Sequence, residues 1–238
     1  MLSHYKGRFN GLADPVAGAL LRAHVRPNQL TVVGLGVSCV AAYAFSQEWL
    51  RVGAVLLAVA GLCDLFDGAL ARLAGQETCF GAFLDSVVDR YSDVIVLLGI
   101  TLLYHQTGDR LGGAATLATL LGTMMVSYTK ARAQSIGVSC EIGLMERPER
   151  LIVLIAGGLF DLLLPALAVL AVLTNTTALQ RILHVRGAGR PVPGAAPPAA
   201  SAARPAAEGA RLGRGVADGA EIVEPDAEIL PRPAAPGS

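Results

Sequence analysis

Between residues 30 and 181 the chain runs as a succession of long apolar stretches, each closed by a short polar or glycine-containing break. A helix that crosses a bilayer needs ~20 mostly apolar residues, and that length recurs along the sequence. The first run, Leu30 to Gln47, lies between Arg26-Pro27-Asn28 and Glu48-Trp49. The second, Val52 to Ala74, carries Asp64, Asp67 and Arg72 in its last turns. The third, Gly81 to Tyr104, carries Asp85, Asp89, Arg90 and Asp93 in its first half, and the fourth, Leu111 to Tyr128, ends at Lys130 and Arg132. The stretch from Leu151 to Val172 is longer than one span. Its Gly157-Gly158, Asp161 and Pro165 predict a short fifth helix, a tight turn and a sixth helix reaching Arg181. The expected fold is an all-α integral membrane protein with six transmembrane helices.

Before Pro27 the pattern changes to alternating basic and apolar positions, with Tyr5, Phe9, Leu12, Val16, Leu20 and Leu21 as the apolar set. That predicts an amphipathic helix lying on the membrane surface. The first fifteen residues lack an apolar core followed by a small-residue cleavage site, so they do not read as a cleaved signal peptide. Six spans put both termini on one side, and basic residues decide which. Lys6, Arg8, Arg22, Arg26, Arg72, Arg90, Lys130, Arg132, Arg147, Arg150, Arg181, Arg186 and Arg190 fall on the terminal side, against Arg51 and Arg110 on the other. The termini and the acidic positions are therefore expected to face the cytoplasm, in a multi-pass protein of the cell membrane. After Arg186 the sequence becomes rich in Pro, Ala and Gly without period. Such a segment cannot bury enough surface to offset its ordering entropy, which divides the chain into a membrane domain, 1–186, and a disordered tail, 187–238.

Composition supports the membrane reading. Hydrophobic residues make up 53% of the 238 and charged ones 16%, against ~25% charged in an average soluble domain. The mean hydropathy is +0.52. Aromatics are only 5%, so small and aliphatic residues supply the apolar mass, as tightly packed membrane helices require. The formal net charge of zero gives no support to a nucleic-acid partner. Cys39, Cys63, Cys79 and Cys140 show neither CxxC spacing nor a neighbouring His cluster, and read as small hydrophobes rather than ligands.

The chemistry lies in the charges that interrupt the second and third runs. Asp64 and Asp67 are spaced i,i+3, and Asp85 and Asp89 i,i+4; both spacings put the two side chains on one helical face. The short connection between the runs makes the helices antiparallel neighbours, so the carboxylates are expected to converge. Converging carboxylates repel one another unless a cation sits between them, and all-oxygen ligation selects Mg²⁺ or Mn²⁺. Gly68 removes a side chain from the acidic face, Gly75 and Gly81 permit close approach, and Arg72 is placed to hold a phosphate. A cation path through the membrane, or neutralisation by Arg72 and Arg90 as buried ion pairs, are the other readings of intramembrane acids. Neither explains why acids, glycines and arginine gather at the same ends of two consecutive helices.

At these residues the sequence resembles a known family. The pattern Asp64-x2-Asp67-Gly68-x2-Ala71-Arg72-x8-Gly81-x3-Asp85-x3-Asp89 is similar to the signature of the CDP-alcohol phosphatidyltransferases, and the resemblance covers roughly residues 1–186. It implies a six-helix membrane enzyme, in which Asp64, Asp67, Asp85 and Asp89 ligate two divalent ions and Asp89 also accepts a proton. It further implies that Gly68, Arg72 and Thr78 contact the CDP moiety of CDP-diacylglycerol. Asn28, Gln29, Leu30 and Thr31 resemble a second nucleotide-contacting segment; Asn28 has a plainer role open to it as helix N-cap. A homodimer is the assembly the resemblance implies.

The acceptor is read from basic residues beyond that pattern. Lys130 and Arg132 close the fourth run, Arg147 and Arg150 precede the fifth, and Arg181 ends the sixth. Each is also suited to cytoplasmic anchoring; together they are suited to surround a doubly charged phosphate. The strings SYTKARAQSIG and ERPERL, with Gln180-Arg181, resemble the bacterial phosphatidylinositol phosphate synthases. The implied reaction transfers a phosphatidyl group from CDP-diacylglycerol to 1D-myo-inositol 3-phosphate, releasing CMP. Glycerol 3-phosphate, giving phosphatidylglycerol phosphate, is the alternative acceptor, and a membrane cation transporter is the alternative of another class.

Overall fold

The breaks in the hydrophobic pattern become helix ends in the computed structural model, which describes residues 15–188 apart from positions 24 and 76. Among the described residues there is no β-strand. A short helix, α1, occupies residues 15–22. It is followed by α2 (Pro27–Ser46), α3 (Leu50–Leu73), α4 (Cys79–Gln106), α5 (Arg110–Ser135), α6 (Arg147–Leu159) and α7 (Leu163–Gly187). The amphipathic reading of residues 1–14 and the tail reading from residue 189 onward lie outside the described residues.

Local chemistry explains the boundaries. Pro27 opens α2 with a preset φ and no N–H to leave unpaired. Arg26, not Asn28, is its N-cap, so the capping role open to Asn28 is not the one it takes. Asp109 caps α5 by accepting from the Leu111 and Gly112 amides at 3.0 and 3.1 Å. Thr78 caps α4 by accepting from Gly81 N at 2.9 Å. Between α6 and α7 the chain reverses over three residues, with Asp161 in the left-handed region at φ 57°, a conformation Asp tolerates better than most residues.

Four helices, α2, α3, α5 and α7, are long and apolar enough to cross a membrane. The 28-residue α4 carries the acidic set in its N-terminal half, and α6 has only 13 residues, fewer than a full crossing needs. Large apolar side chains such as Val32, Val40, Val55, Leu102, Leu121 and Val172 stay exposed. An apolar exterior of that extent fits contact with lipid, not water. Of α1, Ala17 is buried against Ala69 and Leu70 of α3, so part of its apolar face is spent on the protein, while Val16 and Leu21 remain exposed.

Small residues and internal polar bonds hold the helices together. α2 packs most extensively on α3 and α4, and α5 on α7. Thr119 donates across α5 and α7 to the Leu167 carbonyl at 3.0 Å, and Asn175 to the Ala118 carbonyl at 3.0 Å; such bonds are the glue available where lipid removes the hydrophobic drive. Gly99 marks the α2–α4 contact, where an added Cβ would lie 2.3 Å from the Ala42 carbonyl oxygen. The expected α3–α4 neighbourhood forms at the acids, where Asp64, Asp67 and Asp85 meet, but as a splayed pair. The two helices make no extensive direct contact: each leans on α2, with α6 against α3 and α5 against α4. Acids that repel and must admit a ligand need that gap.

Replacement of Gly99 by Val should break the α2–α4 contact, because the obstructing atom is backbone and cannot swing aside. Overpacking costs on the order of 1–3 kcal/mol, read as a lowered thermal midpoint of the detergent-solubilised protein, with the same change at Gly113, where an added Cβ would meet no atom within 4 Å, leaving it nearly unmoved.

Candidate active site

The gap between α3 and α4 gathers the acids. One carboxylate oxygen each from Asp64, Asp67 and Asp85 lies within 4.8 Å of the others. Asp67, 6% exposed, is fixed by Thr31 of α2, whose hydroxyl donates to its Oδ2 at 2.6 Å. Asp85 Oδ1 is buried with no hydrogen-bond partner. A buried carboxylate oxygen left unpaired costs several kcal/mol unless a cation completes it. Asp89, one turn beyond Asp85, stands outside the close triplet and meets Arg147 instead. Arg147 Nη1 bridges Asp64 Oδ2 at 2.5 Å and Asp89 Oδ1 at 2.8 Å.

Two cavities flank the acids and share Asp85. The first, about 240 Å³, lies between α2, α3 and the start of α4, and its lining includes Asn28, Thr31, Asp67, Gly68, Arg72 and Thr78. These are residues the signature placed together. Arg72 Nη1 lies 3.5 Å from where a Cβ on residue 68 would stand, so the glycine keeps the guanidinium close over the acidic face. A groove of about 920 Å³ lined by Asn28, Gln29, Thr78 and the apolar pair Val32 and Val33 adjoins it. Gln29 also accepts from the Arg26 amide at 3.0 Å. Leu30 lines neither space.

The second cavity, about 480 Å³, opens between α4, α5, α6 and α7, with Asp85 and Asp89 on one wall and Lys130, Arg147, Arg150 and Arg181 on the others. Of the basic residues assigned to an acceptor phosphate, Arg132 alone is not brought there; its Nη1 donates to Ser135 Oγ at 3.2 Å. Arg181 is only 2% exposed, and its Nε and Nη1 donate to the carbonyls of Ile142 at 2.8 Å and Val126 at 2.6 Å. A residue kept only for positive-inside anchoring would have no need of burial.

Sequence reasoning assigned no role to Asp93 and Glu146, which also line this cavity. Asp93 Oδ2 accepts from Arg150 Nη2 at 3.0 Å, and its Oδ1 lies 4.0 Å from Arg147 Nε. Its signal was present, since it repeats the i,i+4 step of Asp85 and Asp89 by one more turn. Glu146 adjoins Arg147 in sequence, but nothing in the pattern says which way it faces.

The sequence profile of the CDP-alcohol phosphatidyltransferases matches residues 24–184. The chain belongs to that family. As a CDP-alcohol phosphatidyltransferase it is a membrane-associated transferase, which sets the transporter reading aside. It is 38% identical over 191 residues to the archaetidylinositol phosphate synthase of Methanothermobacter thermautotrophicus, covering 78% of this chain and 94% of that one. It is 40% identical over 198 residues to the phosphatidylinositol phosphate synthase of Mycolicibacterium smegmatis, covering 76% and 88%. The fold is similar to that of the Mycobacterium tuberculosis phosphatidylinositol phosphate synthase with CDP-DAG bound, at a TM-score of 0.68 and 35% identity, over 73% of this chain and 92% of that one. A crystal structure of the same enzyme in complex with manganese and citrate matches at a TM-score of 0.67 and 34% identity, over 73% and 88%.

Thr31 lines the 240 Å³ cavity and holds Asp67, so Thr31→Val, which replaces the hydroxyl by a methyl group, tests whether Asp67 is oriented for a metal. Loss of such an outer contact typically costs about 10–100-fold in metal affinity or activity. The expected outcome is weaker Mn²⁺ binding by titration against the spin signal of the free ion; unchanged affinity would leave the Thr31–Asp67 bond without that function.

Proposed function

We propose that this chain transfers the phosphatidyl group of CDP-diacylglycerol to 1D-myo-inositol 3-phosphate, releasing CMP and forming phosphatidylinositol phosphate. The observation that carries the reading is the pair of cavities meeting at Asp85, one lined by the signature residues and the other by Lys130, Arg147, Arg150 and Arg181. Relatives named as phosphatidylinositol and archaetidylinositol phosphate synthases cover most of this chain, which favours inositol phosphate over glycerol 3-phosphate.

The acids fit a hard divalent ion: they are all-oxygen, three converge within 4.8 Å, and Asp85 Oδ1 is buried without a partner. Asp64, Asp67, Asp85 and Asp89 would hold two ions, Mg²⁺ or Mn²⁺, which when bound supply charge neutralisation for the pyrophosphate and the departing CMP. Gly68, Arg72 and Thr78, with Asn28 and Thr31, bind the cytidine diphosphate moiety. The adjoining groove past Val32 and Val33 leads the acyl chains toward lipid. Asp89 takes the proton of the acceptor hydroxyl as its oxygen attacks the phosphorus bearing diacylglycerol. The bond from that phosphorus to the oxygen bridging it to CMP breaks, and CMP leaves with the electron pair. Lys130, Arg147, Arg150 and Arg181 hold the acceptor's phosphate; Arg132 extends the same basic end of α5.

In the membrane, α4 is ~42 Å long at 1.5 Å per residue and crosses with its acidic half at the cytoplasmic surface. The short α6 completes a sixth, thinner crossing, and both termini face the cytoplasm, where the basic residues gather. Two copies associate as a homodimer, as the family resemblance implies.

Asp89→Asn should lower turnover by about 10²–10⁴-fold with CDP-diacylglycerol binding largely retained, measured as CMP release beside lipid-binding titrations. More than about a tenth of the wild-type turnover would remove Asp89 as the base.

Lys130 gives the cleanest test of the acceptor, because Arg150 and Arg181 are tied into ion-pair and backbone contacts whose loss would also disturb the fold. Lys130→Gln should raise the KM for inositol phosphate by about 10- to 150-fold, the equivalent of ~1.5–3 kcal/mol for a charge-assisted bond, with the KM for CDP-diacylglycerol little changed. A panel of acceptors with the unmodified protein, in which glycerol 3-phosphate outpaces inositol phosphate, would overturn the substrate assignment.

A further inference from the structure

One carboxylate in the acceptor cavity takes no part in the reaction just described. Glu146 Oε1 lies 3.6 Å from Lys130 Nζ and 4.0 Å from Arg181 Nη2. Glu146 is the N-cap residue of α6, yet its side chain makes no capping hydrogen bond. Its carboxylate is therefore spent neither on the helix nor on a close pair; it hovers between two cations. Arg181 cannot follow it, because its Nε and Nη1 are held by the carbonyls of Ile142 and Val126. The cavity's other cations have carboxylates of their own: Arg150 and Arg147 face Asp93, Arg147 also bridges Asp64 and Asp89, and Arg90 lies 3.9 Å from Asp89. Lys130 and Arg181 thus share one loosely held anion, Glu146, whereas the Asp89 beside Arg90 is the closer partner of Arg147.

We propose that Glu146 is a specificity-determining residue: it serves as the cavity's own anion, keeping Lys130 and Arg181 paired until the acceptor's phosphate displaces its carboxylate. A phosphate dianion brings two charges and three oxygens to exchange for one loosely held carboxylate. An unphosphorylated alcohol brings no charge, so Glu146 stays and the alcohol is left to compete with an ion pair. Discrimination then comes from a built-in competitor as well as from attraction. This inference rests on the acceptor cavity assigned above.

The test is Glu146→Gln, an isosteric change, assayed by initial rates with both substrates varied and with inorganic phosphate as inhibitor. Ion pairs held at 3.6 and 4.0 Å without a close hydrogen bond are weak, so the KM for inositol phosphate should fall by about two- to five-fold, and the inhibition constant for inorganic phosphate by the same factor. The turnover number and the KM for CDP-diacylglycerol should not move, and the gain should vanish in the double variant with Lys130→Gln. A raised acceptor KM would show Glu146 binding the acceptor, and unchanged constants would show it inert. A gain that survives Lys130→Gln would show only a general charge effect. Each of these overturns the proposal. Should Glu146→Gln fail to fold, Glu146→Ser removes the carboxylate while giving α6 a preferred N-cap, with the same outcomes expected. If inositol phosphate is no substrate for the unmodified protein, the reaction assigned above fails separately; inhibition by inorganic phosphate, measured with glycerol 3-phosphate as acceptor, still decides the role of Glu146.

Discussion

Mutual repulsion among carboxylates is the constraint from which the rest of the molecule follows. Unit charges at the 4.8 Å limit set by Asp64, Asp67 and Asp85 oppose one another by on the order of 3 kcal/mol per pair at an effective dielectric of about 20. No membrane helix would keep such a set without compensation, and the compensation is visible from three directions. Thr31 donates to Asp67 from α2, and Arg147 bridges Asp64 and Asp89 from α6. The third direction is the gap itself, where Asp85 Oδ1 is buried with nothing to satisfy it. Arg147 is shared among Asp64, Asp89 and, at 4.0 Å, Asp93, and has no pair with Asp67 or Asp85, so a cation held by the triplet would meet the remaining demand.

Keeping that gap open is a packing problem, and α2 solves it. α2 packs on both α3 and α4 and so holds the two helices splayed, with their acid-bearing faces turned toward a common gap. At Gly99 the space toward the Ala42 carbonyl is too tight for a Cβ. On the far side, α5 and α7 are clamped by Thr119, Asn175 and the buried Arg181. Lys130 and Arg181 of the second cavity therefore rest on the clamped α5–α7 pair, Arg147 and Arg150 on α6, and the acids on a frame around α2. Site and scaffold are the same contacts viewed at different depths.

What the sequence disclosed, and what it withheld, divides along the reach of local rules. Helix ends follow from Pro27, Thr78, Asp109 and Asp161, each acting on its immediate neighbours, so the succession of helices was legible. The facing of Asp64 with Asp67, and of Asp85 with Asp89, follows from helical periodicity alone. α3 and α4 meet at their acids, as the short loop between them requires, but the pair is splayed because each packs chiefly on α2, and a loop does not say which third helix supports it. Thr31 reaches Asp67 across 36 residues, and Arg147 reaches Asp64 and Asp89 from a separate helix; no periodicity encodes such meetings. Arg132 shows the converse. Its spacing from Lys130 put it in the same basic cluster, but two positions along a helix point to different sides, and only Lys130 lines the cavity.

The uneven distribution of fixed cations between the two cavities has a physical reason within the proposed reaction. Both substrates of that reaction bring phosphate, yet Arg72 lines the 240 Å³ cavity and Arg26 its adjoining groove, while the other side has Arg90, Lys130, Arg147, Arg150 and Arg181. On the nucleotide side Asp64, Asp67 and Asp85 would hold divalent ions, which when bound would supply the positive charge the pyrophosphate needs. A second phosphate cannot draw on the same ions without competing for the charge that stabilises the leaving group. Its neutralisation must come from side chains, and side chains that remain charged between turnovers need anions of their own. Asp93 beside Arg150 and Glu146 beside Lys130 and Arg181 fill that need. The mixed charge of the acceptor cavity is thus what a permanent phosphate site costs when the metal charge is already committed elsewhere.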